Sequence, residues 1–158
     1  NETLFTRTLQ ENPASIRVRY NLGVTYEDIS DNPIGAIREF ERLLRDYTAT
    51  AEANPGWAQF YELTALEAGV SLGGLYFARG QLQEAAQRFS YVIESAAGET
   101  IPPEQVTTIA EASVGLGQCF QAIGNPRAAA PHFDRAVQLR PDMAPAIEQL
   151  RRRGRSPA

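Results

Sequence analysis

The residues that could do bond-making chemistry are few in this chain, and their spacing does not gather them. There is one His, His132, and one Cys, Cys119. A nucleophile needs a base within reach, and the base needs a third group to orient it. No Ser/His/Asp or Cys/His arrangement stands out around either residue. His132 follows Pro131 on a predicted helix and reads as a solvated surface residue. Cys119 lies between Gly117 and Phe120 and reads as a small, buried or half-buried helix residue. A lone Cys permits no internal disulfide and does not fix a redox compartment. The carboxylate pairs Glu27/Asp28 and Glu39/Glu41 read as solvated helix faces. No Cys/His cluster has metal-ligand spacing, and no Gly-rich phosphate loop is present. The expectation is no catalysis of the chain's own, no metal and no cofactor.

Composition excludes further classes. The chain has 158 residues, 43% of them hydrophobic, which suits a globular domain or a short repeat array. The formal net charge is −4, too mild and of the wrong sign for a nucleic-acid partner. All 15 cationic residues are Arg, which reads as a genome-composition bias. No apolar run reaches the roughly 18–20 residues of a membrane span. The chain opens at Asn1 without Met and reads as a processed product or a cut-out fragment. Its compartment is left open: a soluble fragment, cytoplasmic or an extracytoplasmic tail.

The glycines follow a helix-packing pattern instead of a phosphate-binding one. From Gly117, an aromatic follows three residues on (Phe120), a Gly seven on (Gly124), an Ala twelve on (Ala129) and a Phe sixteen on (Phe133). Gly73, Tyr76, Gly80, Ala85 and Phe89 repeat these offsets. Gly23, Tyr26, Ala36 and Phe40 repeat them with one extra residue in the turn Ser30-Asp31-Asn32-Pro33. Each set describes two helices that cross closely, which needs a minimal side chain at the contact. Gly117 and Ala129 are placed at the crossing, with Phe120 and Phe133 filling the space beside it. Gly124 ends the first helix in a left-handed turn. Asn125 and Asn32 cap the second helices, and Pro126 and Pro33 suit their first turns. Pro131 predicts a mild kink, and Pro141 a stop.

These residues, with Leu22-Gly23, Leu72-Gly73 and Ala136, resemble the tetratricopeptide repeat (TPR). The resemblance implies an all-α, right-handed solenoid of antiparallel helix pairs, a single domain over residues 1–158. Leu4, Phe5, Leu9 and Pro13 then form a leading half repeat over 1–12. Full repeats cover 16–47, 57–97 and 103–141, and 142–153 is a capping helix using Met143, Ile147 and Leu150. Arg151 to Ala158 is basic and reads as a disordered, solubilising tail, strictly so over 154–158. Two junctions are expanded. Phe5 to Gly23 spans 18 residues, but Phe40 to Gly73 spans 33 and Phe89 to Gly117 spans 28. Thr48–Ala53 therefore extends one helix, and the next is long, from near Trp57 to about Arg79.

The resemblance also implies a function. TPR proteins hold a protein or peptide segment on a concave face lined by the first helices of each pair. Here those positions are Arg17, Tyr20, Asn21, Val24 and Glu27; then Glu67, Val70 and Phe77; then Val114, Gln118 and Gln121. Tyr20, Val70 and Phe77 are the expected apolar anchors and Arg17, Asn21 and Gln118 the polar ones. The later units offer Glu and neutral residues, which argues against a clamp for a partner's C-terminal carboxylate. A scaffold binding a partner segment is the first expectation. Long helices packing chain against chain, as a homodimer, are the competing one. The opening Asn1–Pro13 with Tyr20-Asn21-Leu22-Gly23 is also similar to TPR tails that leave the last membrane helix of polytopic glycosyltransferase-like proteins. That gives the alternative of a soluble tail on a membrane enzyme.

Overall fold

A computed structural model describes residues 14–96, 98 and 100–155. The expected half repeat over 1–12 and the last tail residues, 156–158, lie outside the described residues. The described chain is all-α, with seven helices: α1 (Ala14–Asp28), α2 (Pro33–Ala53), α3 (Pro55–Ala78), α4 (Leu82–Ser95), α5 (Val106–Ala122), α6 (Pro126–Leu139) and α7 (Ala144–Arg155). Single 3-10 turns, Pro103–Gln105 and Pro141–Met143, lead into α5 and α7. Helices adjacent in sequence pack on one another: α1 on α2, α4 on α5, α5 on α6, and α6 on α7. Contacts divide the chain into two compact units, Asn1–Leu72 and Gly73–Ala158, with the division inside α3.

The turns explain why the helices end where they do. Gly80 (φ 74°) and Gly124 (φ 81°) take the left-handed conformation that a Cβ disfavours. The bonds that close these turns run from Gln81 N–H to the Tyr76 carbonyl and from Asn125 N–H to the Phe120 carbonyl, 2.9 and 2.8 Å. In the longer first turn Asp31 supplies the left-handed residue, at φ 44°. Asp tolerates that region better than most side chains, a substitution for Gly that the spacing alone did not reveal. Asn32 Oδ1 then accepts from Gly35 N–H at 2.9 Å, and Asn125 Oδ1 from Ala128 N–H at 3.1 Å. Both are N-caps, each followed by Pro at the first helical position. The connection between α2 and α3 is the single residue Asn54, after which Pro55 opens α3 two residues before the expected start. Helix α6 runs unbroken through Pro131, which is exposed.

Each helix pair closes by setting a Phe ring on a Gly. A Cβ at Gly23 would stand 2.6 Å from Phe40 Cε1, at Gly73 2.6 Å from Phe89 Cε1, and at Gly117 2.7 Å from Phe133 Cε1. All three rings are buried, as are Ala36, Ala85 and Ala129. The closest partner of each crossing glycine is thus the Phe ring itself. Gly115 of α5 meets the Phe89 ring from a second helix. Phe89 therefore lies between glycines of α3 and α5, which joins those two helices through α4.

Two charged features depart from the sequence reading. Glu39, expected on a solvated face, is buried. Arg19, itself 7% exposed, reaches it from α1: Nη1 lies 3.2 Å from Glu39 Oε2, and Nε donates to Asp46 Oδ2 at 2.6 Å. Burying either charge alone would be costly, so the pairing across α1 and α2 is what lets Glu39 point inward. The second departure is at the other end. Helix α7 continues to Arg155, and Arg151 is a fixed part of it. Its guanidinium lies 5.5 Å from the Phe133 ring centroid and pairs with Asp134. Ile147 is buried against Phe133 and Ala136, with Met143 and Leu150 beside it, so α7 covers the last helix pair as expected.

Gly117→Leu is expected to force α5 and α6 apart, at a cost of about 1–3 kcal/mol. Phe133→Ala is expected to cost about 3–5 kcal/mol through the cavity it leaves. Chemical denaturation followed by circular dichroism measures both, and two unchanged variants would refute the crossing.

Candidate functional site

The sequence-predicted partner-binding residues fall in both units, and each set forms a helix face by itself. In the first unit, α1 exposes Arg17, Asn21 and Glu27, while Tyr20 and Val24 are half-buried. The Tyr20 ring meets Phe40 at 6.0 Å between centroids, tilted by 54°. Its ring thus helps close α1 on α2 as well as facing outward. Although Glu27 is exposed, partial desolvation of its carboxyl and the neighbouring Asp28 raise its pKa from the ordinary value. Glu67 and Val70, on α3 of the same unit, are half-buried.

In the second unit Phe77 is half-buried on α3, and Val114, Gln118 and Gln121 follow one face of α5 at helical spacing. Here packing has claimed part of the set. Val114 lies against the cluster that α7 completes. Gln121 Nε2 donates to the Leu150 carbonyl at 3.2 Å, and its side chain runs beneath Gly154. The terminal helix therefore occupies Val114 and Gln121 and leaves Gln118 as the half-buried polar position beside them.

A different surface of the second unit is concave. A groove of about 590 Å³ runs between α4 and α5. Leu82, Ala86 and Tyr91 line it from α4; Leu116, Phe120 and Ile123 line it from α5. Cys119 forms part of its floor. Burial pushes that thiol up to about 11, so it stays protonated and weakly nucleophilic near neutral pH. Ile123 is 59% exposed and Tyr91 38%, which leaves apolar surface open along the groove. At the C-terminal end of α4 a second concavity is lined by Glu94, His132 and Arg135, and Glu94 belongs to both. The helix-start spacing used to find the predicted face carries no signal for this groove. It arises from two helices that belong to successive helix pairs.

His132 is not the solvated residue that the sequence suggests. Its ring stacks on Phe120 at 5.4 Å, within 8° of parallel. Burial lowers its pKa below the ordinary 6.5. A third apolar feature is the Trp57–Phe60 pair near the start of α3, 6.0 Å apart, with Phe60 77% exposed.

Among the described residues no three His, Cys, Asp or Glu side chains stand close enough to hold a metal ion, and no helix is long and apolar enough to cross a membrane. Comparison with protein families, curated proteins and solved structures finds no match.

The His132 stack makes a pH prediction. The folded chain prefers the neutral ring, so the unfolded chain takes up its proton first as pH falls. The stability from this site is complete above the ordinary pKa and is lost as pH drops through it. Urea denaturation at about pH 7.5 and about pH 5.5 should show wild type losing ground against His132→Phe, which keeps a ring without a titrating group. An identical pH response in the two proteins would refute the assignment.

Proposed function

We propose that this chain is a TPR-like interaction module: a solenoid of helix pairs whose first helices hold a segment of another protein, with no catalysis of its own. The observation that carries the reading is the Phe-on-Gly crossing at three matching places, Gly23/Phe40, Gly73/Phe89 and Gly117/Phe133. A left-handed turn residue accompanies each crossing, and an Asn-Pro helix entry accompanies the first and the third. Residues fixed by those crossings are used up in packing. What remains on the first helices is free to vary and to make contacts. On α1 these are the exposed Arg17 and Asn21 beside half-buried Val24. A mixed face of this kind suits an extended or helical segment with a few polar fixings.

The test uses exposed residues, because Tyr20 also packs on Phe40 and its loss would disturb the fold. The wild-type chain and an Arg17→Glu/Asn21→Ala variant serve as baits in native lysate, and captured proteins are quantified. A specific partner should be captured about tenfold less by the variant, the scale of losing a central contact. Equal capture of every specific partner by both baits would overturn the first-helix assignment.

A further inference from the structure

We infer that the groove between α4 and α5 is a second docking site, and that its occupant is an amphipathic helix of a partner protein carrying Arg or Lys at one end. The inference rests on reading the chain as an interaction module, and it places a contact on α4 and on a face of α5 that this reading leaves unused. The first argument is shape. The groove follows α4 from Leu82 to Glu94, twelve residues, or about 18 Å at the helical rise. A channel open along three turns of helix fits a rod better than a compact small molecule.

The second argument is the arrangement of its lining. Leu116, Cys119, Phe120 and Ile123 fall at i, i+3, i+4 and i+7 on α5, so the floor is a continuous apolar stripe. Gln83, Gln87, Ser90 and Glu94 fall at i, i+4, i+7 and i+11 on α4, so one wall is a continuous polar stripe. An apolar floor beside a neutral polar wall is the complement of a helix with one apolar face and a polar flank.

The third argument is charge. Among the described residues that line the groove, Glu94 is the one acidic or basic side chain. It stands in the last turn of α4, which has no basic residue. Arg135, which shares the second concavity with Glu94, lies outside the groove's own lining. A helix C-terminus already carries partial negative charge, so a carboxylate there adds to it. A cation of the partner at that end relieves both. Neutral Gln and Ser residues hold the rest of the wall, so one cation suffices and a polybasic segment is not called for.

The experiment selects peptides from a display library of helix-forming 14-mers on the whole folded chain. Selected peptides are then synthesised with a fluorophore and their binding is read by anisotropy. Selected sequences should carry apolar residues at i, i+3 or i+4, and i+7, with Arg or Lys at one end. Ile123→Ser removes an exposed side chain at the groove and should weaken binding about tenfold or more. Glu94→Arg should weaken it similarly, and a peptide with its terminal Arg changed to Glu should bind Glu94→Arg better than wild type. Arg17→Glu should leave these affinities unchanged. Failure to enrich such peptides, or binding indifferent to Ile123→Ser and Glu94→Arg, overturns the inference. If binding is lost in Arg17→Glu instead, the interaction-module reading stands and the groove does not. Sedimentation at several concentrations adds a control: a dimer abolished by Ile123→Ser puts a second copy in the groove and overturns the partner-helix assignment.

Discussion

The Phe89 ring sits between two glycines, Gly73 of α3 and Gly115 of α5, and much of the second unit depends on that fit. A mid-helix Gly costs about 1 kcal/mol relative to Ala. Two of them are tolerated here because they let three helices share one buried aromatic ring. Burying a Phe side chain stabilises by about 1.5–3 kcal/mol, and close packing around it adds dispersion contacts that a Cβ would disrupt. The same device, with one glycine for each ring, closes α1 on α2 through Gly23 and Phe40, and α5 on α6 through Gly117 and Phe133. Ring volume sets the helix separation, and glycine permits it.

That device explains what the sequence could reveal. Gly, aromatic, Gly, Ala and Phe recur at fixed offsets because each contact joins residues in helices adjacent along the chain. The caps at Asn32 and Asn125 are more local still, so residue type and position were enough to place them. The long helix after Trp57 was legible from a stretch, 57–68, free of Pro and Gly, although Pro55 and Gly56 lie inside its first turn. What stayed hidden depends on side chains brought together across the chain. Glu39 read as part of a solvated face, yet Arg19 pairs with it and with Asp46 across α1 and α2. Arg151 looked like part of a basic tail, yet it lies over Phe133. His132 looked solvated, and its stack on Phe120 depends on how α6 settles against α5. Asp31 takes the left-handed position that spacing would have assigned to Gly.

The same contrast applies to the surfaces proposed for partners. First-helix positions are legible because the repeat pattern says which faces packing leaves out. The pattern does not foresee that α7 engages Gln121 and packs beside Val114. Nor does it foresee the α4–α5 groove, whose walls come from the second helix of one pair and the first helix of the next.

The claim beneath all of this is that ring size and glycine at the crossing are coupled. A double-mutant cycle at Phe89 and Gly115 tests it most directly. Gly115→Ala places a methyl group against the Phe89 ring and should destabilise; Phe89→Leu shrinks the side chain and should also destabilise. The double variant should lose less than the sum of the two, by at least about 0.5 kcal/mol, because the smaller side chain makes room for the methyl. Strict additivity would contradict the account.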